Sequence, residues 1–385
     1  MHNPLTYLWQ DPATPRQFKS AVSLHGHTNH SKEGLYFIVE FAGDHSVLRW
    51  ALGQQEKRAR QESAIKLNFW EAYWTPPVPA LAAYSLERRQ IEERLAIEPM
   101  VSLTDHDNIE APMLLRVVPE ARRIPVSLEW SVPYQETIFH LGIHNLPTAE
   151  AEQWAARLLD YTRKPDATQL RGLVSALSAN PQILVIFNHP LWDLPRVGRA
   201  RHLELLHKFV AEVGDFLHAF ELGGLRGWKE NRGVTQLASA YGRPVISGGD
   251  RHGCEPSAIL NLSNAASFSE FVAEVRDGYS HVLFMPQYAE STTLRTIQTL
   301  LDVIRTYPEH PLGFRRWDER VFHPDRNGVC RPLAALWQRP PAFIGHTFAA
   351  LRMFEREPVR GFLRLATGWR QGLRLGVGEG QEALP

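Results

Sequence analysis

The amino-acid sequence predicts an α/β fold of repeated strand and helix units, with eight candidate strands that could close a distorted (β/α)7-8, TIM-like barrel. Three observations carry this reading. Short apolar runs recur along the chain, stretches of helical periodicity separate them, and nearly every run ends in His, Asp or Glu. The 385 residues suffice for one barrel-sized core or two ordinary domains, and 44% hydrophobic with 22% charged residues excludes disorder and fibre.

The apolar runs fall at 21–24, 100–103, 124–128, 138–143, 183–187, 216–220, 244–246 and 282–285. Helical spacing predicts helices at 84–96, 149–160, 168–178, 199–213, 230–241 and 268–277. Two regions break the rhythm. Residues 34–80 read as an insertion over the strand ends, rich in Trp, Phe, Arg and Gln, and residues 296–385 read as an Arg-rich, mostly helical extension with a loose tail. The regular α/β unit is therefore expected within residues 1–295.

Forty-two Lys and Arg balance 42 Asp and Glu, so a globally basic nucleic-acid binder is excluded. The N-terminus lacks a basic stretch followed by an apolar one, and no apolar run approaches the roughly 20 residues needed to cross a bilayer. A soluble, cytoplasmic protein that engages no membrane is expected. Cys254 and Cys330 are too few for a disulfide framework, whereas 17 His favour imidazole chemistry.

The run ends read His25-Gly26-His27, Thr104-Asp105-His106-Asp107, Glu129, His140, Asn188-His189-Pro190, Glu221 and Gly249-Asp250-Arg251-His252. Residues two apart on a strand share a face, so His25 and His27 can reach one ion, and Asp250 and His252 repeat the spacing with a carboxylate. Imidazole and carboxylate donors suit Mn, Zn or Fe. Around His106 the acids Asp105 and Asp107 are open to two readings: metal donors, or orienting and capping groups.

Taken together and in this order, these motifs resemble the PHP family, named for polymerase and histidinol phosphatase, over about residues 20–286. The resemblance implies a distorted barrel of the PHP type, two or three divalent metal ions, and a phosphoesterase that attacks its substrate with a metal-activated water. It implies that His25, His27, Glu129 and Asp250 hold one ion. Glu129 would bridge to a second ion on His140 and His189, and a third would sit between His106 and His252. The remaining donor to the third ion is Glu33 or His30, because Ser31-Lys32-Glu33-Gly34 stands where relatives read Ser-Asp-Gly. Glu129, Asp250 and His106 are the expected catalytic residues.

Arg226, Lys229 and Arg251 are candidates to receive the substrate phosphate. A nucleotide, a short single-stranded oligonucleotide end or a small phosphomonoester would fit, with Trp70, Trp74 and Trp228 available to stack on a base. Two other classes compete: a noncatalytic PHP scaffold, and a metal-dependent C–N hydrolase of the amidohydrolase type. His144, His202, His207, His218 and His281 lack motif context and read as packing or surface residues, His144 being the nearest to an exception.

Overall fold

Residues 4–35, 68–309, 316–336 and 342–362, with positions 53–54, 57 and 364, are described by a computed structural model. Two mixed five-stranded sheets carry the predicted strands. The first orders β1 (Leu5–Tyr7), β12 (His281–Phe284), β11 (Ile259–Ser263), β2 (Ser20–Ser23) and β5 (Glu98–Val101). The second orders β10 (Val245–Gly248), β9 (Ala219–Gly223), β8 (Leu184–Asn188), β7 (Thr137–Leu146) and β6 (Val126–Tyr134).

A regular closed barrel does not form. The pairs β2 with β5, β8 with β9 and β9 with β10 are parallel, but β7 is antiparallel to both β6 and β8, and β11 is antiparallel to both its neighbours. Between the two sheets run isolated bridges, His106 to Glu129 and Gly26 to Arg251. The cause is local: Gln135 and Glu136 turn β6 directly back into β7, with Gln135 at φ 52°, so no helix separates the two strands.

Helical spacing locates the helices well. Arg199–Val213 matches its expected bounds, and Ala80–Leu95, Ala151–Arg163, Ala167–Ala179, Trp228–Ala240 and Phe268–Arg276 lie within a few residues of theirs. Side chains fix some of the starts. The Asp166 carboxylate accepts from the Thr168 N–H and the Ser267 hydroxyl from the Glu270 N–H, satisfying amides that lack a partner inside the helix. Beneath the second sheet, Trp130, Phe187, Phe209 and Phe220 are wholly buried, and the Phe209 ring lies 4.7 Å from Phe139 and 5.2 Å from Phe187. Each such side chain contributes roughly 1.5–3 kcal/mol by leaving water.

A third sheet joins the two irregular regions. Its order is β14 (Cys330–Pro332), β13 (Val321–Pro324), β4 (Tyr73–Trp74) and β3 (Glu33–Gly34), all antiparallel. The extension thus contributes strands as well as the helices Thr292–Ile304, Leu333–Leu336 and Ala342–Met353. Most of the expected insertion and the expected loose tail lie outside the described residues. Among the described residues, no helix is long and apolar enough to cross a membrane.

Candidate metal centre

Among the described residues, nine His, Asp and Glu side chains converge where isolated bridges join the two sheets. Their ligand-type atoms form four overlapping groups, each within 4.8 Å: His27, Glu33, His106 and His252; His25, His27 and Glu129; His25, His189 and Asp250; and His106, Glu129 and His140. Glu33 belongs to these groups and His30, the other candidate at that position, does not.

Glu129 is the hub. Its Oε2 lies 3.1 Å from His25 Nε2, 3.4 Å from His27 Nε2 and 3.4 Å from His106 Nδ1. Its Oε1 lies 3.1 Å from His189 Nε2 and 3.5 Å from His140 Nδ1, and accepts from the Asn188 amide at 2.9 Å. One carboxylate therefore faces two sets of imidazoles with its two oxygens. Asp250 Oδ1 stands 3.6 Å from His27 Nε2 and 3.5 Å from His252 Nδ1. Glu33 Oε2 is 3.2 Å from both His106 Nε2 and His252 Nε2.

The route by which the side chains arrive differs from simple strand alternation. Strand β2 stops at Ser23, and His25 adopts φ 59°; Asp107, His189 and Asp250 are also left-handed, at 54°, 26° and 48°. Each such backbone costs on the order of 1–3 kcal/mol, a kind of strain that concentrates at functional sites. Glu129 and His140 come from the middle of β6 and β7 rather than from strand ends.

Electrostatics hold the carboxylates ionised despite burial. Desolvation pushes Glu129 up, yet the imidazoles of His25, His106 and His140 hold it well below the usual carboxylate range. Glu33 and Asp250 are likewise held low, against burial, by His106 and His252 for the first and by His27 and His252 for the second. Among the imidazoles, burial and the neighbouring His252 push His27 down to about 4. For His106 burial is outweighed by Glu33 and Glu129, which push it up to about 10.

The donor set fits divalent ions. His25 Nε2 and His27 Nε2 face each other at 3.2 Å, and among the described residues the buried His106 Nδ1 finds no hydrogen-bond partner, so ring nitrogens converge on shared points instead of each pairing with a structural group. Each of the four groups brings together the imidazole and carboxylate donors that divalent ions accept, and Glu129 belongs to two of them.

Supporting groups fix these donors. His25 Nδ1 bonds Glu221 Oε2 at 2.6 Å, which leaves Nε2 for the centre. Gly248 makes room for that carboxylate, since a Cβ there would fall 2.1 Å from Glu221. The Ser31 hydroxyl donates to Glu33 Oε1 at 2.6 Å, and the His106 N–H donates to Ser31 Oγ at 3.1 Å. Asp105 and Asp107 are anchors: Asp105 accepts from the Thr28 N–H at 2.6 Å and hydroxyl at 2.7 Å, and Asp107 from the Ser131 N–H at 2.8 Å.

Several sequence candidates lie elsewhere. His30 turns away to Glu110 at 2.8 Å, leaving Glu33 as the donor beside His106 and His252. Arg251 is not placed to meet a substrate. Its guanidinium is buried, pairs with Glu87 at 3.0 Å and donates to the carbonyls of Gly253 and His27, so it braces the loop from behind. Lys229 is exposed on the first turn of Trp228–Ala240. Arg226 does reach the centre: it lies 3.3 Å from Asp250 Oδ2 and over the Trp192 ring at 4.0 Å. Trp228 packs against Tyr7 and Phe284, Trp70 is exposed, and Trp74 stands 5.9 Å from His252.

Glu221 ended an apolar run like the other donors, so its signal was present. Trp192, which packs on His189 at 5.0 Å, and the brace residue Glu87 carried none.

No family model matches this chain, and no curated protein does. Among solved structures, a candidate metal-dependent phosphoesterase from Bifidobacterium adolescentis shows 14% identity and a TM-score of 0.31 over 50% of this chain and 89% of its own. An amidohydrolase from Chromobacterium violaceum with bound sulfate and no metal shows 14% identity and a TM-score of 0.31 over 60% and 87%. Likenesses this low carry no argument about the chemistry.

Proposed function

We propose that this protein is a metal-dependent hydrolase of phosphate esters, of the PHP type, holding two or three Mn, Zn or Fe ions at the cluster around Glu129. The observation that carries the reading is the single buried carboxylate whose two oxygens face separate sets of imidazoles, His25, His27 and His106 on one side and His140 and His189 on the other. Bound ions supply Lewis acidity to ester oxygens and lower the pKa of a water to about 7. No protein nucleophile is required.

The chain's own residues do the rest. Glu129 fixes the spacing between donor sets, and Glu221 and Asn188 hold His25 and Glu129 in orientation. Arg226, flattened on Trp192 and adjacent to Asp250, supplies a cation for an anionic substrate group. Trp192 and Trp74, lying against His189 and His252, offer flat apolar faces to the leaving portion, which favours a nucleotide or a short single-stranded end over a bare small ester. A C–N hydrolase remains the rival chemistry and a noncatalytic scaffold the rival role.

The test is metal analysis of purified protein, followed by release of phosphate from chromogenic mono- and diesters, mononucleotides and short oligonucleotides with Mn supplied. Parallel amide and lactam substrates complete the panel. Bound metal with chelator-sensitive phosphate release supports the reading. Turnover confined to C–N substrates would overturn the phosphoesterase assignment, and failure to bind metal would favour the scaffold.

A further inference from the structure

The placement of Glu33 raises a physical question. It belongs to a strand of two residues, β3, whose partner β4 is also two residues long, through the pairs Glu33 with Trp74 and Gly34 with Tyr73. So short a pair cannot hold its register in water, because a two-stranded ribbon is marginal even at ordinary lengths and a third strand is generally needed. The third strand comes from nearly 290 residues further along the chain.

Strand β13 pairs with β4 through Val321 with Trp74 and Phe322 with Tyr73, and the Thr75 N–H donates to the Arg320 carbonyl at 2.9 Å. The Phe322 and Tyr73 rings stack at 4.8 Å with an interplanar angle of 10°. His323 is buried, donates from Nδ1 to the Pro324 carbonyl at 2.8 Å, and so presents Nε2 as an acceptor for the Asn68 N–H, also at 2.8 Å. Behind this strand, the buried Arg320 donates to the carbonyls of Val303 and Arg305, fastening the segment to the end of helix Thr292–Ile304. Strand pairing thus links the backbone of Glu33 through β4 to β13, and the Arg320 side chain carries the connection on to that helix.

Six of the other eight donors, His25, His27, Glu129, His140, His189 and Asp250, rest on or beside long-buried strands of the two main sheets. Glu33 alone arrives on the third sheet. We propose that the segment from Arg316 to Pro332 is a positioning element for one metal subsite: it holds Glu33 between His106 and His252 and thereby sets occupancy of that ion, leaving the two ions around Glu129 independent of it. The inference rests on the metal-centre reading above and adds that the C-terminal extension controls the number of ions bound.

The experiment counts metal. Full-length protein, Phe322→Ala, His323→Ala and the reference Glu33→Gln are loaded with Mn, passed through gel filtration, and analysed for ions per chain and for stepwise affinity against a chelator. Three ions are expected in the parent and two in all three variants, with the weakest step falling at least tenfold and the other two unchanged. Three ions at unchanged affinity in Phe322→Ala and His323→Ala would overturn the proposal, and so would a parent that binds only two. A parent that binds none would instead sink the metal-centre reading itself. Thermal melts in chelator identify any variant that fails to fold; Phe322→Leu, which keeps apolar bulk and removes the ring stack, then replaces it in the same count.

Discussion

His140 and His144 stand four residues apart on β7, on the same side of the strand, and could hardly differ more in company. His140 faces Glu129, and its ring lies 4.9 Å from His106 and 5.1 Å from His189. His144 is also buried, further along the strand, where the Ser102 hydroxyl meets its Nδ1 at 2.8 Å and Ser102 in turn bonds Ser127 at 2.9 Å. Burial depresses both imidazoles, His144 to about 3. What separates them is the partner. One imidazole sits beside Glu129 and two other imidazoles and the other meets the Ser102 hydroxyl, so company rather than burial tells the two apart.

The largest effect that would break this contrast is on turnover. Glu129→Gln keeps the shape of the hub and removes its charge, and phosphate release is expected to fall by on the order of 10³-fold with loss of the two ions it shares. His144→Gln should bind the full complement of metal and turn over nearly as the parent does. Equal losses in both variants, measured at matched metal content, would erase the distinction drawn from β7.

How much of this was readable beforehand follows the same division. Apolar runs and helical spacing located the strands and helices, because burial on both faces leaves a continuous hydrophobic signature in β8, β9 and β10. Most of the candidate donors were legible because His and carboxylates follow or interrupt those runs; Glu33 follows none, and only its position beside His106 and His252 separates it from His30. The closed barrel was not to be had from pattern alone, since an apolar run looks alike whether its neighbour is parallel or antiparallel, and β6 and β7 turned out to be a hairpin. Left-handed backbone at His25 and Asp250 has no signature when the residue is not glycine. Nor could periodicity show that Val321–Pro324 would pair with Tyr73–Trp74, a contact between segments of the chain with no regular spacing.

The buried pair of Arg251 and Glu87 offers a smaller test of centre against support. A guanidinium buried against Glu87 loses its stabilising partner in Glu87→Gln, and breaking such a buried pair costs about 3–5 kcal/mol. A drop in the denaturation midpoint, in chelator, with KM for the ester unchanged in whatever folds, is expected of a brace. Were Arg251 a substrate contact, Arg251→Met would instead raise KM and leave the midpoint in place.

The smallest effect is expected outside the cluster, at His218. Its Nδ1 accepts from the Val185 N–H at 2.9 Å, while Arg276 lies 2.8 Å from Nε2. Burial first, then the charges of Arg276 and Arg243, push it down to about 3. In the unfolded chain the same imidazole titrates near about 6.5. Between those two values the unfolded state binds a proton that the folded state refuses, so stability rises with pH across the window and declines as pH falls through it. The loss from this one group approaches about 1.4 kcal/mol per pH unit once the pH is well below the unfolded value. Denaturant midpoints at pH 5 and pH 7.5, taken in chelator so that metal binding contributes nothing, should therefore diverge more in the parent than in His218→Gln. Identical pH dependence in the two proteins would mean that His218 takes up its proton in the folded state, and that a buried imidazole held by structural donors is no better insulated from protonation than one in the metal cluster.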